Sequence, residues 1–458
     1  VAYPLTGVPD TGDTAWMLAS SALVLLMTPG LAFFYGGMVR SKNVLNMIMM
    51  SISAMGIVGV IWALFGYSEA FGDNKFGVIG DPGQFFGLKG LIGGNGAKDP
   101  ATNIPLAGTI PMTVFVAFQL MFAIITVALI SGAVADRLKF RAWLVFATIW
   151  AIVVYFPVAH WVFDFSVTDP TTKEVVHEGG WIANKLQAID FAGGTAVHIN
   201  AGAAGLALAL VLGRRKGWPK VPARPHNIPF VMLGAGLLWF GWFGFNAGSA
   251  VSSNGLAGST FLTTTFATCS AMLGWLLVEK IRDGKPTTLG AASGIVAGLV
   301  AITPSCSSVN VLGALVIGVV AGILCALAVG LKFKLGFDDS LDVVGVHLVG
   351  GLVGTLMVGL FLAPEAGAAA AGAKGLFYGG GFSQLGKQAV GAFSVMAFSF
   401  IASLIIAFII KFTIGLRATE EEEFNGLDDS EHAETAYDFA AVGGTARTAV
   451  KEAVKEEA

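Results

Sequence analysis

Long apolar stretches free of Asp, Glu, Lys and Arg alternate with short charged segments along the chain as far as residue 416. A helix needs about 20 apolar residues to cross the hydrocarbon core of a bilayer, so each uncharged interval counts as one or more crossings. Single crossings are expected near 15–39, 43–68, 110–135, 142–163, 191–213, 343–363 and 388–410. The interval from Pro225 to Val278 is too long for one crossing, and Ser252-Ser253-Asn254-Gly255 is its natural break. Pro286 to Leu331 breaks likewise around Pro304 to Asn310. The pattern predicts an all-α polytopic membrane protein with eleven transmembrane helices over 1–415, followed by a polar, partly disordered or helical tail over 416–458.

Charge orients these spans. Arg40/Lys42, Arg137/Lys139/Arg141, Arg214/Arg215/Lys216/Lys220/Arg224, Lys280/Arg282/Lys285 and Lys332/Lys334 fall on every second connection. Short loops rich in Lys and Arg stay on the cytoplasmic side, so the N-terminus is expected outside and the C-terminus inside. The first apolar run follows Asp13-Thr14 and lacks both a basic leader and a small-residue cleavage site, which reads as a span and not a signal peptide.

Composition agrees, at 55% hydrophobic and 12% charged residues against about a quarter charged in soluble domains. The 61 glycines lie inside apolar runs, where small residues let helix backbones approach. A net charge of −3 points to no class of partner, and none is expected to be nucleic acid. Cys269, Cys306 and Cys325 lack metal-ligand spacing and read as packing residues. No disulfide, metal site, cofactor or enzymatic activity is expected.

Two histidines stand in uncharged surroundings, His198 in Ala196-Val197-His198-Ile199-Asn200-Ala201-Gly202 and His347 in Gly345-Val346-His347-Leu348-Val349-Gly350-Gly351. The strings match, and they fall on the fifth and tenth spans. Two five-helix halves must then run with inverted topology, leaving the eleventh helix outside the repeat. Equivalent helices of such halves meet near the midplane, which would bring the imidazoles together. An imidazole in hydrocarbon is expected to stay neutral, because desolvation disfavours its charged form. A hydrogen-bonded neutral pair can offer a lone pair or an N–H to a small polar molecule, or relay its proton. The alternatives are two satisfied structural histidines or a pair of axial haem ligands.

Asp190 opens the fifth span. There a carboxylate either caps the exposed N–H groups through Gly193 and Gly194 or supports a cation site electrostatically. Asp342, near the inside end of the tenth span, stands where it would cap that helix. His160, His177, His226 and His432 fall at span ends, in loops or in the tail, and read as solvated or interfacial.

Five strings together resemble the ammonium transporter family (Amt/Mep/Rh), in particular its bacterial Amt branch. They are Pro-Gly-Leu-Ala-Phe-Phe-Tyr-Gly-Gly at 29–37, Asp190 to Asn200, Gly241 to Ser249, Asp342 to His347, and Gly415-Leu416-Arg417. The resemblance implies a homotrimer of the cytoplasmic membrane in which each subunit recruits ammonium, removes its proton and conducts ammonia. It implies that His198 and His347 are the twin-histidine pair of the pore, with Phe122 and Phe245 stacked as a gate above them. It places Phe118, Ser249 and one further aromatic at a recruitment site. Much of the family has Trp at that third place, whereas this chain has Phe163, with a weaker quadrupole and no N–H; Trp161 and Trp181 are the alternatives. Tyr35 and Trp242 stand in family strings and by resemblance line the path, and Asp190 supports the cation site indirectly. Gly426 to Tyr437 resembles the family's cytosolic C-terminal region, which implies coupling between subunits and docking of a PII-type signalling protein. A passive ammonia or carbon dioxide channel of the Rh type and an ammonium sensor signalling through the tail are the other readings.

Overall fold

The computed structural model describes residues 3–93, 103–221, 223–366 and 373–437. Its long and apolar helices are α1 (Thr11–Met38), α2 (Val44–Phe71), α3 (Met112–Val134), α4 (Phe140–Phe163), α5 (Gly194–Leu212), α6 (Ile228–Ala250), α7 (Gly255–Asp283), α8 (Thr288–Ile302), α9 (Val311–Leu335), α10 (Val344–Phe361) and α11 (Ser383–Thr413). Ten of these are long and apolar enough to cross a membrane, and α8 is the exception. It falls where the eighth crossing is expected, yet its 15 residues span only about 22 Å at ~1.5 Å per residue, against a core of about 30 Å. Pro304 follows closely and has no N–H with which to extend the ladder.

The two breaks expected inside the long uncharged intervals fall where asparagine caps stand. Asn254 accepts the Leu256 and Ala257 N–H groups at the start of α7, and Asn310 accepts that of Gly313 at the start of α9. Each cap satisfies orphan donors that the first turn of a helix leaves open.

α1 and α6, the first helices of the two halves, pack antiparallel. Gly37 meets Asn227 and Val231, Gly234 meets Phe34, Gly241 meets Met27, and Gly244 meets Ser20. α5 and α10, the last of each half, also cross antiparallel: Gly202 faces Leu348, Gly351 faces Ile199, and Thr195 Oγ1 lies 3.4 Å from Thr355 Oγ1. Opposed directions of equivalent helices are what an inverted repeat requires, and glycine makes the approach possible. A Cβ on Gly234 would stand 2.3 Å from the Phe34 amide nitrogen. Gly234→Leu is therefore expected to part α1 from α6 and remove most of the monodisperse peak in size-exclusion chromatography of the solubilised protein. Gly236→Leu, whose Cβ would meet nothing within 4 Å, should leave that peak unchanged.

On the face where α1 begins, the connections fold into short strands: β1 (Thr6–Gly7), β2 (Asn74–Lys75), β3 (Ile79–Gly80), β4 (Ile104–Ala107), β5 (Ile110–Pro111), β6 (Val167–Thr168) and β7 (Val175–His177). They pair antiparallel as β1-β4-β5, β2-β3 and β6-β7, with Thr6 opposite Pro105 and Lys75 opposite Ile79.

The opposite face carries the basic connections, and the start of the tail folds back onto them as α12 (Glu420–Asn425) and α13 (Leu427–His432). Glu423 accepts from the Lys216 amide and from Arg417, each at 2.7 Å. Asp428 accepts from the Leu45 and Asn46 amides at the start of α2, and His226 bonds the Tyr437 hydroxyl. Residues 416–437 thus belong to the packed body, and 438–458 lie outside the described residues.

Candidate functional site

The two histidines are positioned by the same local device. His198 lies in a π-helical turn, Gly194–Ile199, at the start of α5, and His347 in another, Val344–Leu348, at the start of α10. Such wide turns are frequent at functional sites. The first turn is held by Asp190, whose carboxylate accepts the N–H groups of Gly193, Gly194, Thr195 and Ala196 at 2.9, 2.6, 2.8 and 3.1 Å. Gly193 has φ +120°, a conformation that L side chains rarely adopt. Asp190 is thus a cap, and it lines neither the space beside the histidines nor the larger cavity above Phe122.

In the second half the cap is Asp339 and not Asp342. Asp339 accepts the Val343 and Val344 N–H groups, while Asp342 pairs with Lys332 at 2.6 Å. The spacing carried this information: Asp190 stands eight residues before His198, and Asp339 eight before His347.

Antiparallel crossing of α5 and α10 puts His198 Nδ1 3.2 Å from His347 Nδ1, with ring planes 16° apart and both side chains buried. One Nδ1 must then donate and the other accept, which two imidazoles can do when at least one is neutral. Among the described residues His198 Nε2 has no hydrogen-bond partner, which leaves it open to a small polar guest. This spacing excludes the haem alternative, because an iron and its macrocycle would have to fit between the two nitrogens. The space beside the rings, lined by Leu31, Leu129, Leu238 and Val296 among others, is about 10 Å³, at or below the lower limit for one water molecule.

An aromatic column leads from the histidines toward the strand-bearing face. Trp242 lies parallel to His198 at 5.4 Å, its indole N–H donating to Thr303 Oγ1 at 2.9 Å. Phe245 sits 6.1 Å from His198 and 4.2 Å from Phe122. Phe118 and Phe163 flank Phe122 edge-on at 4.9 and 6.2 Å. Above Phe122 opens a cavity of about 820 Å³ lined by Phe118, Phe122, Phe163 and Ser249 among others. Ser249 donates its hydroxyl proton to the Phe245 carbonyl at 2.7 Å, so its oxygen lone pairs remain for a donor such as a cation bearing N–H groups.

Of the candidate third aromatics, Phe163 lines this cavity. Trp161 packs on Trp181 and Phe398 and donates to the Val78 carbonyl, away from it. Tyr35 does not line the space beside the histidines: it is buried and donates to the Leu129 carbonyl at 3.0 Å, supporting a residue that does.

Two further histidines are not solvated. His160 and His177 are buried on the strand-bearing side around Asp164, which also lines the large cavity. Thr303 and Asp339 are path-supporting residues that the chain's motifs did not single out.

A profile described as Ammonium Transporter Family matches residues 15–437. The chain is 73% identical to an ammonium transporter of Mycobacterium tuberculosis over 97% of its own length and 94% of the relative's. The crystal structure of Saccharomyces cerevisiae Mep2 superposes with a TM-score of 0.79 at 33% identity, covering 90% of this chain and 88% of that one. A solved sensor Amt protein superposes with a TM-score of 0.78 at 29% identity, covering 92% and 98%. A multi-pass cell-membrane protein with this fold and this breadth of likeness, the chain belongs to the ammonium transporter family.

Proposed function

We propose that the chain recruits ammonium into the large cavity from outside the cell, strips its proton near Phe122, and passes ammonia along the dry path beside His198 and His347. The observation that carries this reading is the change along the path. A wide cavity with aromatic faces and an accepting hydroxyl, which suit a cation, narrows through Phe122 and Phe245 to a space with room for about one water-sized molecule at most and none for an ion's hydration shell. A potassium ion has no proton to give up, and it would have to shed its water in an apolar passage at high cost. Ammonia sheds far less and can bond the buried, unpartnered His198 Nε2.

The same reading takes in a homotrimer with one path per subunit. It also takes in a PII-type protein on the face that holds the docked tail and the basic connection 214–221. The sensor Amt likeness keeps signalling as a second reading, since such a protein could share the cavity and differ in flux.

Ser249→Ala is the direct test of recruitment. A hydrogen bond to a charged group contributes about 1.5–3 kcal/mol, so the half-saturating ammonium concentration for uptake should rise about tenfold or more. The maximal rate should change little. An unchanged half-saturation would remove Ser249 from the site.

A further inference from the structure

Asp164 follows Phe163 at the end of α4 and lines the large cavity together with Phe118 and Ser249. Its carboxylate is almost fully buried and faces two imidazoles, His177 Nε2 at 2.8 and 3.0 Å and His160 Nδ1 at 3.1 Å. The other nitrogen of His177, Nδ1, faces Asp73 Oδ1 at 2.7 Å, and the Asp73 side chain is 48% exposed. Tyr3, an uncharged phenol, stacks on the His177 ring at 4.3 Å. His160 completes its own contacts with the Ala70 carbonyl and Asn74 Oδ1.

Ionised carboxylates only accept hydrogen bonds, so a histidine with a carboxylate on each ring nitrogen carries a proton on both. The result is an imidazolium beside the cavity wall. We propose that His177 is a proton switch for cation recruitment: protonated, it masks the Asp164 charge at the cavity wall, and on losing its proton to solvent it unmasks that charge and strengthens the pull on ammonium. The inference rests on the transport reading above.

The asymmetry of the two aspartates decides which proton leaves. Asp73 is half in water and can replace a lost N–H donor with solvent, whereas buried Asp164 cannot. The Nδ1 proton therefore goes and the Nε2–H bond to Asp164 stays. The His177/Asp164 pair changes from neutral to a net single negative charge. Burial works against the charged form of His177, but the hydrogen bonds and charges of Asp164 and Asp73 outweigh it and hold its pKa above the ordinary histidine value. With a raised pKa, the mask is in place at neutral pH and below and is lost as the outer pH rises through that value.

The test is the half-saturating concentration of ammonium, counted as the cation, for uptake into proteoliposomes of the full chain. It is measured across roughly pH 6 to 9 outside at fixed internal pH, with each variant expressed as a ratio to the intact protein so that ammonium's own titration cancels. The intact protein should bind about three- to tenfold more tightly at the alkaline end. His177→Gln keeps an amide donor for Asp164 without charge and should bind tightly at every pH. Asp164→Asn should bind weakly at every pH. Asp73→Asn, at a half-exposed position that tolerates change, should move the transition down by about one pH unit. A His177→Gln profile that parallels the intact one overturns the proposal. So does an unmoved transition in Asp73→Asn, which decides the matter where His177→Gln fails to fold. Absence of uptake by the intact protein would instead contradict the transport reading.

Discussion

An Asp190→Ala protein is expected to lose its folded state in detergent or to melt at least about 10 °C lower than the parent. Four amide N–H groups converge on this carboxylate in a buried corner. Leaving a buried donor unsatisfied costs about 1–3 kcal/mol each, so the sum rivals the ~5–15 kcal/mol by which whole domains are stable. The loss would also release the π turn that aims His198, so any protein that does fold should transport poorly. Asp190→Asn keeps one accepting oxygen and should fall between the two. Asp339→Ala, which frees the two N–H groups of Val343 and Val344, should be milder than Asp190→Ala. Thermal unfolding of the three purified variants orders them, and an Asp190→Ala midpoint equal to the parent's would show that water replaces the cap.

The crossings were legible because charge is excluded from hydrocarbon, and the breaks because each long uncharged interval exceeds one crossing and holds one polar string, in which the structure places the caps Asn254 and Asn310. The matching histidine strings revealed the repeat, since the same approach of two backbones needs the same small residues in both copies. Other features left no periodic trace. Phe122 and Phe245 are two of 34 phenylalanines, and only the tertiary path distinguishes them; the family strings supplied what pattern could not. The α2 docking of Asp428 is made to backbone amides, which no residue type advertises, so the sequence showed a partly disordered or helical tail and not its docking. Asp339 was hidden by the nearer Asp342, although its eight-residue offset from His347 repeats that of Asp190 from His198. The burial of His177 depends on α4, β7 and the residues before β2 meeting in space, and a loop histidine gives no sign of that.

The second large effect is expected from His198→Ala. The imidazole lines the small space of about 10 Å³ and holds His347 at 3.2 Å. Truncating it opens room beside a His347 nitrogen that has lost its partner, and a roomy site with polar groups takes up water. Hydration would lower the desolvation barrier that excludes potassium. His198→Ala should therefore admit potassium, or conduct ammonium as a hydrated cation, at rates the intact protein does not show. Phe245, which packs on the His198 ring, would lose support at the same time, so the proposed gate and filter should weaken together.

The decisive measurement is solid-supported-membrane current, with internal pH followed in parallel, after ammonium and potassium pulses to proteoliposomes of the intact chain and of His198→Ala. The intact protein should answer ammonium and ignore potassium, and His198→Ala should answer potassium or lose its ammonium response. A pH change without current in the intact protein would assign it to passive gas conduction, and silence from a folded, monodisperse protein would assign it to sensing. A His198→Ala protein that still carries ammonium at the intact rate and still excludes potassium would contradict a filtering role for the histidine pair.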